Sequence, residues 1–207
     1  MKEALDLLMT QYGEHRSISK VIRELQESFS PAHKKTLEHA VGLAYYFYVQ
    51  SDKLSARKII EVMSELPFDG DYNHWVWIRS ALALHARIAR IEGDIETHKK
   101  LVDIIWGAFE VGDETKQRIN KKIFIRTLKG GDIGFDKVTA CMEDGDTISE
   151  VNYRFSCLRK MILIREVGAS ETYAIEQAEK DIADNMIAIK KLLCSVDVKK
   201  ILPFSDM

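Results

Sequence analysis

An all-α fold of stacked antiparallel helix pairs is predicted by three features of the sequence. Apolar residues recur at intervals of three and four along nearly the whole chain. The three prolines, Pro31, Pro67 and Pro203, stand where helices begin or end. A short turn ending in Asp recurs between the apolar seams, and no segment alternates convincingly as a strand does. About nine or ten helices fit this pattern.

The elements follow in order. Residues 2–12 and 17–29 form an opening pair split at Gly13. Ser30-Pro31 is an N-cap followed by a favoured first helical residue. Beyond it Leu37, Ala40, Val41, Ala44 and Tyr48 make one stripe, with Leu43, Tyr46 and Phe47 opposite, so this helix is covered on both faces. Asp52 caps the next, whose stripe Ala56, Ile59, Ile60, Met63 and Leu66 leaves Arg57, Lys58 and Glu61 to solvent. Residues 73–91 again carry two stripes, one with Trp75, Ile78, Leu82, Ala86 and Ala89, the other with Trp77, Ala81, Leu84, Ile88 and Ile91. Gly93-Asp94 turns the chain into residues 95–109, with Leu101, Val102, Ile105, Ala108 and Phe109 on one face. Thr147-Ile148-Ser149-Glu150 has the form of a capping box. It opens a helix with the stripe Ile148, Val151, Phe155, Leu158 and Ile162. Ser170 caps a last helix striped by Ile175, Ala178, Ile182, Met186, Ile189 and Leu193, and residues 197–207 read as a tail.

Ser51-Asp52-Lys53 and Gly93-Asp94-Ile95 lie 42 residues apart. At that interval Ala44 matches Ala86, Ile59 matches Leu101, Ile60 matches Val102 and Met63 matches Ile105. Gly131-Asp132-Ile133 suggests a third copy, between Ile119, Ile123, Phe124 and Phe135, Val138, Met142. This pattern over residues 32–144 resembles the tetratricopeptide class of repeat, which implies an α-solenoid or right-handed superhelix. The interval here is longer than that family's, and the family's Trp and helix-ending Pro are absent from the matching places.

Composition bounds the rest. A chain of 207 residues, 46% hydrophobic and 30% charged, fits one globular domain without a Pro-, Ser- or Gly-rich linker. Residues 1–29 open it, 31–144 hold the repeat-like hairpins and 147–196 close it. A net charge of −2 argues against a generally basic nucleic-acid coat. Acids at Glu3 and Asp6 interrupt any secretory run, and no stretch reaches the length of a membrane span, so a cytoplasmic protein is expected. Three cysteines, Cys141, Cys157 and Cys194, are widely spaced and expected to be reduced, at or near apolar stripes.

Chemical signatures are sparse. The six histidines never pair on one helical turn, and no HExxH, CxxC, GxSxG or phosphate-cradling glycine loop occurs. No metal, cofactor or catalytic residue is therefore expected. Gly130-Gly131-Asp132 is similar to the start of a cyclic-dinucleotide synthase signature, but helix-ending glycine and capping Asp account for it. Asp69 with Asp71, and Asp144 with Asp146, lie in turns that favour Asp on backbone grounds.

Recognition is the remaining class. Arg118, Lys122, Arg126 and Lys129 share one helical face. An acidic edge follows at Asp132, Asp136, Glu143, Asp144, Asp146 and Glu150. Trp75 and Trp77 crowd the hairpin junction after Phe68-Asp69-Gly70-Asp71, and Tyr45 falls outside the main stripe of its helix. Small helical chains with acidic turns resemble bacterial immunity proteins that occlude nuclease toxins. That resemblance implies a protein partner, with Asp69, Asp71, Glu143, Asp144 and Asp146 as contacts and Trp75 or Tyr45 as anchor. A helical-repeat adaptor or regulator is the alternative, and the basic face would serve nucleic acid.

Overall fold

The computed structural model describes residues 34–65, 72–107, 147–168 and 172–194. These residues form six α-helices and one π-helical turn, and no strand occurs among them. The helices are α1 (Lys34–Val49), α2 (Lys53–Ser64), α3 (Tyr72–Glu92), α4 (Ile95–Gly107), α5 (Thr147–Leu163) and α6 (Thr172–Leu193). The π turn, Ile164–Gly168, continues α5. The expected opening pair, the third Gly-Asp turn and the tail lie outside the described residues.

Local sequence explains both turns that the structure describes. Ser51 and Gly93 adopt positive φ, 69° and 81°, the left-handed conformation that commonly ends a helix and that glycine takes without a Cβ penalty. The amide of Asp52 then donates to the Phe47 carbonyl at 2.9 Å, and that of Asp94 donates to the Ala89 carbonyl at 2.9 Å. Each Asp carboxylate accepts from the backbone N–H three residues on, Ser55 for Asp52 and Thr97 for Asp94, both at 3.0 Å. The two turns share these bonds at the interval read from the sequence.

Helix α3 lies at the centre. From Ile78 to Ala89 every residue except Ser80 is buried, because α1, α2, α4, α5 and the π turn all pack against it. Both expected stripes are found over this span. Ile91 departs from its stripe: it is exposed, since it sits in the last turn, where the chain reverses at Gly93. Trp77 is half-buried, with the Arg159 guanidinium 4.6 Å above its ring.

The pair α5 and α6 packs against α1 and α3. It buries Val151, Phe155, Leu158 and Ile162 from α5, and Ala178, Ile182, Ile189 and Leu193 from α6, as the periodicity predicts. Contact with α2, α3, α5 and α6 covers α1 from Ala40 to Val49, where Tyr46 alone is partly exposed. Tyr45 is consequently in the core, its hydroxyl donating to the Ser80 carbonyl at 3.0 Å. The expectation that Tyr45 anchors a partner is thereby corrected. Among the cysteines, Cys157 is buried with its thiol pushed up by that burial, whereas Cys194 is exposed rather than buried at the end of its stripe.

Candidate functional site

A cluster of charged side chains sits where α3, the π turn and α6 meet. Arg87 and Arg90 are three residues apart on α3 and so project from neighbouring turns of one face. The π turn supplies Arg165 and Glu166, and α6 supplies Glu179. Glu166 is fully buried, with Oε1 3.4 Å from Arg87 Nη1 and Oε2 2.9 Å from Arg90 Nε. Glu179 Oε1 accepts three hydrogen bonds: from Arg87 Nη1 at 2.5 Å, Arg90 Nη2 at 2.7 Å and Arg165 Nε at 2.7 Å.

The site has a depth. Glu166 forms its floor and Arg87 lies just above, while Arg90, Arg165 and Glu179 reach toward solvent. Arg87 Nε also meets the Tyr48 hydroxyl at 3.3 Å. Burial alone would push the Glu179 carboxyl up, but hydrogen bonds from Arg87 and Arg165 and their charges prevail and hold it down, to about 2. Burial opposes the charge on Arg87 as well, and its bonds to Glu179 and Tyr48 raise its pKa in spite of it. At neutral pH Arg87 and Glu179 are therefore both ionised.

The π turn positions this chemistry. Its wider winding shifts the side chains after Leu163 and places Arg165 beside Glu179 while Glu166 turns inward. The Trp106 indole N–H, from the end of α4, donates to the Val167 carbonyl at 2.9 Å. That bond ties α4 to the turn. His98 completes the surroundings, with Nδ1 3.1 Å from the Ala86 carbonyl and 3.6 Å from Glu166 Oε2. Such π segments often mark functional places in helical proteins.

None of these cluster residues was marked by the sequence motifs. One signal was present: Glu166 follows Ile162 by four, in phase with the apolar stripe of α5. A carboxylate in that phase must find a cation. Of the residues expected at a partner surface, Tyr45 is in the core and Trp75 belongs to α3. Asp69, Asp71, Glu143, Asp144 and Asp146 lie outside the described residues, as do Arg118, Lys122, Arg126 and Lys129. Among the described residues no group of three or more His, Cys, Asp or Glu could hold a metal ion, and no helix is long and apolar enough to cross a membrane.

The model of a family of unknown function, DUF6707, matches residues 7–191. The chain belongs to the DUF6707 family. No curated protein and no solved structure matches it.

A second surface of the DUF6707 chain lies on α4, away from its buried residues Leu101 and Ile105. On a helical wheel Ile95 and Trp106 follow one edge of that surface and Ile104 the other, with Lys99, Asp103, Glu96 and Lys100 between. Ile95 is 61% exposed, Ile104 39% and Trp106 37%. Glu96, Lys99, Lys100, Asp103 and Ile104 line an open cleft of about 530 Å³. Large apolar side chains left in water beside a charged strip are candidates for contact with a partner.

Proposed function

We propose that this DUF6707 chain is a non-enzymatic protein-binding module of the cytoplasm, and within that class a bacterial immunity protein that neutralises a nuclease toxin. The observation that carries the binding reading is the outer face of α4, where exposed Ile95 and Ile104 flank a charged strip. Burying these two side chains against a partner would release apolar surface from water, and the mixed charges between them would fix the register. The matched turns at Ser51-Asp52 and Gly93-Asp94 support tetratricopeptide-like stacking of hairpins as the scaffold. In this reading Asp69, Asp71, Glu143, Asp144 and Asp146 meet the basic active site of the nuclease.

The test pairs capture with rescue. The tagged chain is used to pull down nuclease domains encoded beside its gene, and each captured domain is expressed with and without the chain in a sensitive host. A toxic domain whose lethality the chain suppresses supports the reading, provided that Ile95→Asp with Ile104→Asp abolishes rescue without lowering the melting temperature. A stable partner that is not toxic would favour the adaptor role. Nucleic acid that co-purifies and washes off with salt would overturn the protein-binding reading and turn attention to Arg118, Lys122, Arg126 and Lys129.

A further inference from the structure

The arginine–glutamate cluster has more positive than negative charge. Among the described residues Arg87, Arg90 and Arg165 share two carboxylates, Glu166 and Glu179, and a guanidinium does not lose its proton in a protein. Three N–H donors from three different arginines converge on one oxygen, Glu179 Oε1. Convergent donors of this kind make a cradle for an anionic oxygen, and arginine forks match phosphate as well as carboxylate. The oxygen now in the cradle belongs to the most exposed member of the cluster, on a helix whose neighbouring Glu176 and Lys180 are already in solvent.

We propose that the mouth of this cluster is an oxyanion site for a phosphate group, formed by Arg87, Arg90 and Arg165, in which Glu179 is the internal occupant that an incoming phosphate displaces. The charges favour the exchange. Glu166 stays as the floor, and a phosphate dianion brings the three guanidinium groups more negative charge than the single carboxylate it replaces. The site is separate from the outer face of α4 and stands whether or not that face binds a protein.

The full chain is titrated with sodium phosphate against sodium chloride at matched ionic strength, by calorimetry and by thermal melting, and AMP is titrated in parallel. Saturable phosphate binding is expected in the wild type, at least tenfold tighter in Glu179→Gln, which removes the competing charge, and at least tenfold weaker in Arg165→Gln. Saturation by phosphate at lower concentration than by AMP identifies the free ion as the source, and the reverse order identifies a nucleotide. In the wild type the Arg165 Nε–H resonance should move along the same curve, a measurement that holds even if a variant fails to fold. Absence of saturable binding in both wild type and Glu179→Gln overturns the proposal. So does affinity unchanged in a folded Arg165→Gln, or an Arg165 resonance that ignores phosphate.

Discussion

Ser51 and Gly93 hold the same left-handed backbone conformation 42 residues apart, each one residue before a capping Asp. A side chain at such a φ crowds its own carbonyl, and glycine escapes that cost. Gly93 is the relaxed version of the turn and Ser51 the strained one. Ser51→Gly should therefore stabilise the fold by about 0.5 to 1 kcal/mol, and Gly93→Ser should destabilise it by a similar amount. The bond that Lys190 Nζ gives to Ser51 Oγ is exposed and offsets little of the gain. Urea denaturation of both variants checks the signs, and a Ser51→Gly protein less stable than wild type would show that the Lys190 contact outweighs the strain.

The two carboxylates of the arginine cluster should differ sharply when removed. Glu166 has no exposed surface, so Glu166→Ala leaves Arg87 and Arg90 short of a buried partner, a loss of about 3 kcal/mol. Glu179 is at the rim, where water screens the charges it leaves behind, and Glu179→Gln should cost on the order of 1 kcal/mol. Equal losses in chemical denaturation would mean that the depth of the site has no energetic consequence.

How far the sequence reveals this architecture depends on the kind of signal. The capping turns and the apolar stripes are local properties of the chain, and Asp52, Asp94, Val151, Phe155 and Ile189 stand where periodicity puts them. Tyr45 is different, because its burial depends on how many helices surround α1, and a helical wheel carries no such count. The cluster is harder still. Arg87, Glu166 and Glu179 are separated by 79 and 92 residues from their partners, and the pairing follows from the packing of α6 against the π turn. The phase of Glu166 in an apolar stripe was the one local clue.

The π turn should depend on Trp106. The indole N–H satisfies the Val167 carbonyl, which lies within a segment whose wider winding disturbs the ordinary helical bonds. Trp106→Phe keeps a ring and removes that donor, and a loss of about 1 kcal/mol is expected. Hydrogen exchange should rise in the π turn and in the first turn of α6 more than in α2, which is remote from Trp106. Uniform change across the chain would argue that the ring, not the bond, carries the effect.

His85 should give the fold a dependence on mildly acidic pH. Its Nδ1 lies 3.1 Å from Ser64 Oγ, and Ser64 already donates its hydroxyl proton to the Ile60 carbonyl. Nδ1 must then carry the proton, leaving Nε2 as a bare acceptor, buried and without a partner among the described residues. Burial pushes the imidazole below its usual value; Glu61, Asp94 and Glu92 draw it upward, Arg57 draws it down, and burial prevails. Below about pH 6.5 the unfolded chain takes up a proton that the folded chain refuses, so stability falls as pH falls through this window and is intact above it. The melting temperature of the wild type should drop between pH 7 and pH 5, and His85→Leu should flatten that part of the profile. The capping carboxylate of Asp94, held below its usual value by hydrogen bonds from Thr97, loses its contribution only at lower pH, so the two effects separate along the titration. A slope between pH 7 and pH 5 that persists unchanged in His85→Leu would assign it to another group.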